Sequence, residues 1–265
     1  MFRLNLLQGF LYPLTAPKRL LAACLILPLS LAVLVPPALL GLGVFGTVSM
    51  NLKQGIGFSL LLLAVCVTIG FLPFTFLAGY TLRCRQQVIA GVPTLPAWDR
   101  WKQLLSDGGR MDTLALLFGL PTLLFFWGAL GTVGLSLKNL HDGLTWSSAG
   151  LALLGSGTGL LLLCGAILWW FIVMLFSPIA SLRLARGLSP SASVSPRGML
   201  GDIRRGWLDY LLCCVLTWGV SMIFSAAQTA FWPLVVISFP VQVYLQLVWA
   251  NLLGQYARAY FPEQG

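Results

Sequence analysis

Five stretches of this 265-residue chain contain no Asp, Glu, Lys, Arg or His: Leu20–Leu52, Gln54–Leu82, Thr113–Leu137, Gly143–Leu182 and Tyr210–Ala257. They run for 33, 29, 25, 40 and 48 residues. A helix of about 20 apolar residues crosses the roughly 30 Å hydrocarbon core of a bilayer. Each stretch can therefore span once, and the last can span twice. Apolar residues make up 58 % of the chain and charged residues 9 %, against about 25 % charged in soluble domains. So few charges cannot cover a water-exposed surface. The chain reads as an all-α integral membrane protein, one polytopic domain over 1–265, with the lipid bilayer as its solvent.

The last stretch divides at Phe231-Trp232-Pro233, because Trp favours the interface and Pro fits the first turn of a following helix. The 40-residue stretch holds one span, with the Gly- and Ser-bearing Trp146–Gly157 ahead of it as a loop or re-entrant piece. Six transmembrane helices follow: 20–46, 56–82, 113–137, 159–182, 210–231 and 234–257. Leu21-Ala22-Ala23-Cys24 looks like a lipoprotein cleavage box, but Pro17-Lys18-Arg19 stand where a signal peptide needs its apolar segment. Leu20 onward is read as the first span.

Orientation follows from Lys and Arg. Six spans put both termini on one side, together with the second and fourth loops. That side holds fourteen of the sixteen Lys and Arg residues, leaving Lys53 and Lys138 on the other. The asymmetry places the N- and C-termini in the cytoplasm and the chain in the cell inner (plasma) membrane. The net charge of +9 then serves orientation and contact with anionic lipid headgroups. No contiguous basic domain offers itself to nucleic acid. The six cysteines lie in or at the cytoplasmic edge of the apolar stretches, so free thiols are expected.

The chain repeats one plan about three times: an interfacial stretch, a span, a short outward loop, and a returning span with a proline. Pro73, Pro178 and Pro240 occupy the returning spans, which end in Arg83, Arg183 and Arg258. This makes three hairpins. Trp98, Trp101, Leu105 and Gly108 recur at helical spacing before the third span, and Met199, Ile203 and Trp207 before the fifth. Both patterns predict amphipathic helices in the headgroup plane on the cytoplasmic side.

Charge is absent from the middle of every span, where proton- or ion-coupled transporters keep it. Uncharged polar groups are present instead. Gln242, Gln246 and Asn251 stand four and five residues apart on the last span and form a possible polar stripe, for interhelical hydrogen bonds or a substrate path. Gly41-Leu42-Gly43-Val44-Phe45-Gly46 matches G-x-G-x-x-G, but it ends a membrane run and no acid occurs before Asp99. It reads as helix-packing glycine, as do Gly155 and Gly159. Gly155-Ser156-Gly157 invites an intramembrane serine protease. Its base would have to be His141, the sole histidine, in an outward loop, and an unassisted hydroxyl is a weak nucleophile. No catalytic set, metal site or cofactor is expected.

One segment is more specific. Gly79-Tyr80-Thr81-Leu82-Arg83, then Gly91, then Leu95-Pro96-Ala97-Trp98-Asp99-Arg100-Trp101, then Leu104 and Asp107-Gly108, resembles the domain-of-unknown-function family 4013 of bacterial and archaeal multi-pass membrane proteins. Gly254-Gln255-Tyr256 before Arg258 resembles that family's closing motif. The family more often carries acids where this chain has Ala97 and Arg100. The resemblance implies an all-helical bilayer fold and adds no catalytic residue.

The leading expectation is a non-catalytic membrane protein: a scaffold, an assembly factor or a membrane-organising partner, with a membrane protein or a second copy as companion. The alternative is a permease or exporter of a hydrophobic or lipid-like substrate, using Gln242, Gln246 and Asn251. A third reading is a lipid-interface enzyme with Asp99 or Asp107 as base.

Overall fold

The computed structural model describes residues 4–25, 28, 52–141, 146–231 and 235–261, and every regular element among them is helical. In order they are α1 (Leu6–Leu11), a 3-10 turn (Tyr12–Thr15), α2 (17–25), α3 (Leu52–Ile89) and α4 (Trp101–His141). There follow α5 (Trp146–Ala185), α6 (Pro190–Ser193), α7 (Pro196–Arg205), α8 (Trp207–Ala230) and α9 (Val235–Tyr260). The first span beyond Leu25, the Gly41–Gly46 motif and the tip at Trp232-Pro233 lie outside the described residues.

Among those residues, three helices are long and apolar enough to cross a membrane: Trp101–Gly134, Gly155–Ala185 and Trp207–Ala230, with mean hydropathies of 1.9, 2.5 and 1.8. Their outer faces are oily. Leu124, Trp127, Leu161, Leu168 and Ile223 are each more than 60 % exposed, a surface suited to hydrocarbon and untenable in water.

The chain divides into two compact units. The smaller, Thr113–Ser181, is an antiparallel pairing of α4 with α5. Gly159 lies against Thr132 and Val133, and Gly165 against Phe125. Trp169 Nε1 donates to the Phe118 carbonyl at 2.9 Å. Small residues at these crossings let the backbones approach.

The larger unit, Met1–Asp112 with Leu182–Gly265, is built around α9, which packs on α3 and α8 and carries α1 and the 3-10 turn. Tyr12, Leu77, Tyr80, Leu104, Val243 and Leu247 form its main core. Cys213, Val248 and Leu252 form a second cluster, with Phe10 and Tyr244 packed on it. The N-terminal segment is tied down by polar bonds as well. Asn5 caps α1 through Gln8 N–H and exchanges hydrogen bonds with Gln255, while Tyr244 donates to the Phe10 carbonyl.

Two local expectations change. Trp146–Gly157 is neither loop nor re-entrant piece, because α5 is helical from Trp146 onward. Glycine and serine are tolerated in membrane helices, and that segment holds no proline to stop one. The amphipathic stretch before the third span is likewise not a separate helix. Trp98 lies in the loop, and from Trp101 the helix runs unbroken to His141, with Pro93 and Pro96 setting where it can begin. The fifth span does have a separate amphipathic helix before it, α7, which carries Met199 and Ile203 but stops at Gly206, so Trp207 opens α8 instead.

Arg100, whose carbonyl accepts the first two bonds of α4 from Gln103 and Leu104, has φ = 54°. A left-handed residue with a Cβ carries a local cost of about 1 kcal/mol, and asparagine tolerates that region better than arginine. Arg100→Asn is therefore expected to raise the melting temperature in detergent by a few degrees. Arg100→Val should lower it.

Candidate functional site

Two features stand out: a knot of family-motif residues where α3 meets α4, and a polar groove between α8 and α9.

The knot begins with a double glycine crossing. A methyl group on Gly79 would sit 2.0 Å from the Leu104 carbonyl oxygen, and one on Gly108 would sit 1.9 Å from that of Thr75. Only glycine admits this approach. Next to it Tyr80 stacks on Trp98, ring centroids 3.9 Å apart and planes within 9°, and the Tyr80 hydroxyl donates to the Pro96 carbonyl at 3.0 Å. Trp98 Nε1 donates to the Arg19 carbonyl at 3.1 Å, and Arg19 in turn donates to that of Leu95. Arg83 donates to Asp99 Oδ1 at 3.0 Å and to the Asp99 carbonyl at 2.9 Å. Trp101 meets Phe76 edge to face. Gly91, at φ = 82°, closes α3: its N–H bonds the Val88 carbonyl, and that of Val92 bonds Gln87.

A second pin has the same logic. Arg183, near the end of α5, donates to Asp202 Oδ2 at 3.0 Å, to the Ala192 carbonyl at 3.1 Å and to Ser195 Oγ at 3.2 Å. Gly187, at φ = 92°, closes α5 as Gly91 closes α3. The closing motif is structural too. Gly254 lies against Val88, Gln255 holds Asn5, and Tyr256 donates to the Asp202 carbonyl at 2.9 Å.

Four groups between the end of α3 and the start of α4 bear on chemistry. Arg85, which its place just past a span would send toward the headgroups, is instead 6 % exposed, with its Nε unpartnered among the described residues and its Nη1 on Met111 Sδ. Burial lowers its pKa to about 10, so it stays charged at neutral pH. The neighbouring Cys84 thiol, beyond the span end at Leu82, is pushed up to about 12 by burial; it is protonated and unreactive at neutral pH. Asp107 is buried with Arg110 at 3.9 Å, and its Oδ2 has no partner among the described residues. Asp99 is 61 % exposed at its side chain and bound by Arg83. Among the described residues no group of three His, Cys, Asp or Glu side chains is placed to hold a metal.

The groove holds about 210 Å³. Thr217, Ser221 and Ser225 line one wall, at the four-residue spacing that puts them on one face of α8. Gln242 and Gln246 line the other, on α9. Phe224 and Trp249 flank them. Early residues of α8 meet late residues of α9: Tyr260 donates to Asp209 Oδ2, Tyr210 lies against Tyr256, and Cys213 packs with Val248 and Leu252, so the two helices are antiparallel. At 1.5 Å per residue, Thr217 and Ser225 stand about 15 and 27 Å along α8 from Trp207, so the wall begins near mid-helix and ends about one and a half turns short of Ala230. The structure thus brings Gln242 and Gln246 together and places Asn251 elsewhere. Asn251 is 2 % exposed and accepts from Gln255 Nε2 at 2.6 Å. Five residues on a helix is a rotation of about 140°, which takes Asn251 off the groove face.

Arg183, Asp202 and Ser195 are not singled out by the sequence as a set, although the Arg-to-Asp separation there resembles that of Arg83 and Asp99. The opposing hydroxyl row on α8 was legible as a spacing but has no motif to mark it.

No curated protein matches the chain, and no solved structure does. A family model described as "Protein of unknown function (DUF4013)" matches residues 62–232, which take in the Gly79–Gly108 knot and the Arg183 pin but end before Gly254-Gln255-Tyr256. The chain belongs to that family.

Proposed function

We propose that the chain crosses the inner membrane six times in three hairpins, with both termini cytoplasmic, and acts without catalysis as a scaffold or membrane-organising partner. One observation carries this reading: the family-specific residues Gly79, Tyr80, Arg83, Trp98, Asp99 and Gly108 are engaged with one another in fixing helix ends. Their chemistry is architectural. The segments read as cytoplasmic also expose Lys18, Arg100, Lys102, Arg197, Arg204 and Arg258. Exposed basic groups on that side suit anionic headgroups, each contributing about 1 kcal/mol near a charged membrane surface. Purification in mild detergent is expected to recover a stoichiometric membrane-protein partner, a homo-oligomer or retained anionic lipid. Recovery of bare monomers alone would count against it, as would a fusion after Gly265 that reports from outside the cell.

The α8/α9 groove favours a second reading, a permease or exporter of a hydrophobic or lipid-like substrate. Reconstituted vesicles should then show flux that falls at least tenfold in Gln242→Leu/Gln246→Leu. Equal flux from both proteins removes the groove from any transport route.

A further inference from the structure

We infer that the α8/α9 groove is a binding site for an uncharged, oxygen-bearing ring carried on an alkyl or isoprenoid tail, of which a quinone or phenol head is the type. The inference rests on the groove of the permease reading, adds the class of its guest, and is tested by binding without any flux.

Four observations define the guest. Thr217, Ser221, Gln242 and Gln246 line the groove, and among the described residues none of these side chains makes a hydrogen bond within the protein. Amides have no free choice in hydrocarbon: a glutamine cannot satisfy itself as a helical serine can by bonding back along its own helix, and an unmet polar group there is costly. The site therefore calls for a guest with carbonyl or hydroxyl oxygens, since each amide both donates and accepts.

Among the described residues that line the groove, none is titratable. A charged group at this depth would have no counter-charge, so the guest is neutral. Its walls carry one aromatic ring from each helix, Phe224 and Trp249, which favour a flat face against them. Its volume of about 210 Å³ is below the roughly 300–1,000 Å³ of pockets that enclose a whole drug-sized ligand. It holds a ring and leaves the tail in lipid. A docked helix from another chain would need a long open face, not a short concave pocket.

The test uses the full-length protein in phosphatidylcholine nanodiscs and labelled decyl-benzoquinone, measured as binding in excess of empty nanodiscs. Saturable binding at one site per chain is expected, unchanged between pH 6 and 9 and not displaced by decyl sulfate, which has the same tail and a charged head. Gln242→Leu/Gln246→Leu should weaken it at least tenfold. Ser221→Leu, which fills the groove from the opposite helix and leaves both glutamines in place, should do the same. Binding that survives both variants would overturn the inference, as would equal competition by decyl sulfate. Near-complete disulfide crosslinking of Gln246→Cys to a second copy would also overturn it, because the groove would then be an interface between copies.

Discussion

Gly108→Ala is expected to unfold the α3/α4 crossing. The added methyl would sit 1.9 Å from the Thr75 carbonyl oxygen and 2.8 Å from its methyl carbon, and a backbone oxygen has no rotamer to escape into. The helices must separate. Separation also pulls Thr75 Oγ1 from Asp112 and opens the packing of Leu104, which is fully buried. Ordinary overpacking costs about 1–3 kcal/mol, and a clash with backbone that disturbs neighbouring bonds belongs at or above the top of that range. The next residue supplies the control. A methyl on Gly109 would meet nothing within 4 Å, so Gly109→Ala should be neutral, or stabilising by up to about 1 kcal/mol through helix propensity. Thermal melting in detergent, followed by size-exclusion recovery, separates the two. Similar melting of both variants would mean that the reciprocal glycine contact does not hold the helices.

The sequence announced helices and their rough extents because hydrocarbon permits few alternatives for a long uncharged stretch. It was less informative about their ends. Length and charge cannot distinguish a surface helix from the first turns of a spanning one, so the join at Trp101 was invisible; α4 passes from Lys102 and Arg110 into its apolar part without a break. Glycine and serine between Trp146 and Gly157 looked like punctuation, a signal calibrated on water-soluble helices. Glycine after two arginines marks the break at Gly206, but the spacing of Met199, Ile203 and Trp207 runs straight across it and hid it.

Of the candidate site, the Gly79–Gly108 segment stood out as a pattern, but its meaning lay in three dimensions. Gly79 and Gly108 are far apart in sequence and reciprocal in space. Periodicity linked Gln242 to Gln246, and the same arithmetic separates Asn251 from both. What no periodicity on α9 could supply was the second wall. Thr217, Ser221 and Ser225 matter because α8 runs antiparallel to α9, and that pairing is set by Cys213, Val248 and Leu252 nearer the helix ends. Arg85 shows the opposite failure. A basic residue just past a span reads as a headgroup contact, yet here the end of α3 is covered by the larger unit's own packing.

Arg183→Ala is expected to be as damaging as the glycine clash, by a different route. Both members of the Arg183–Asp202 pair are nearly enclosed, with side chains 13 % and 12 % exposed. Removing one partner strands the other, and a stranded buried charge typically costs about 3–5 kcal/mol. The loss is compounded because the same guanidinium holds the Ala192 carbonyl and Ser195 Oγ, which fix the turn between α6 and α7. Lysine should recover only part of the stability: its ammonium keeps the charge, but its compact head cannot reproduce the planar fork that serves three acceptors. Arg183→Ala/Asp202→Ala should regain much of the loss, since no uncompensated carboxylate remains. Arg83→Ala provides the contrast. Asp99 is mostly in solvent, where an ion pair contributes about 0–1 kcal/mol, so the milder effect belongs to the more specific family motif. Melting temperatures and protease cutting between Arg186 and Arg205 read both. If the double variant is no more stable than Arg183→Ala alone, the pair does not carry the end of α5.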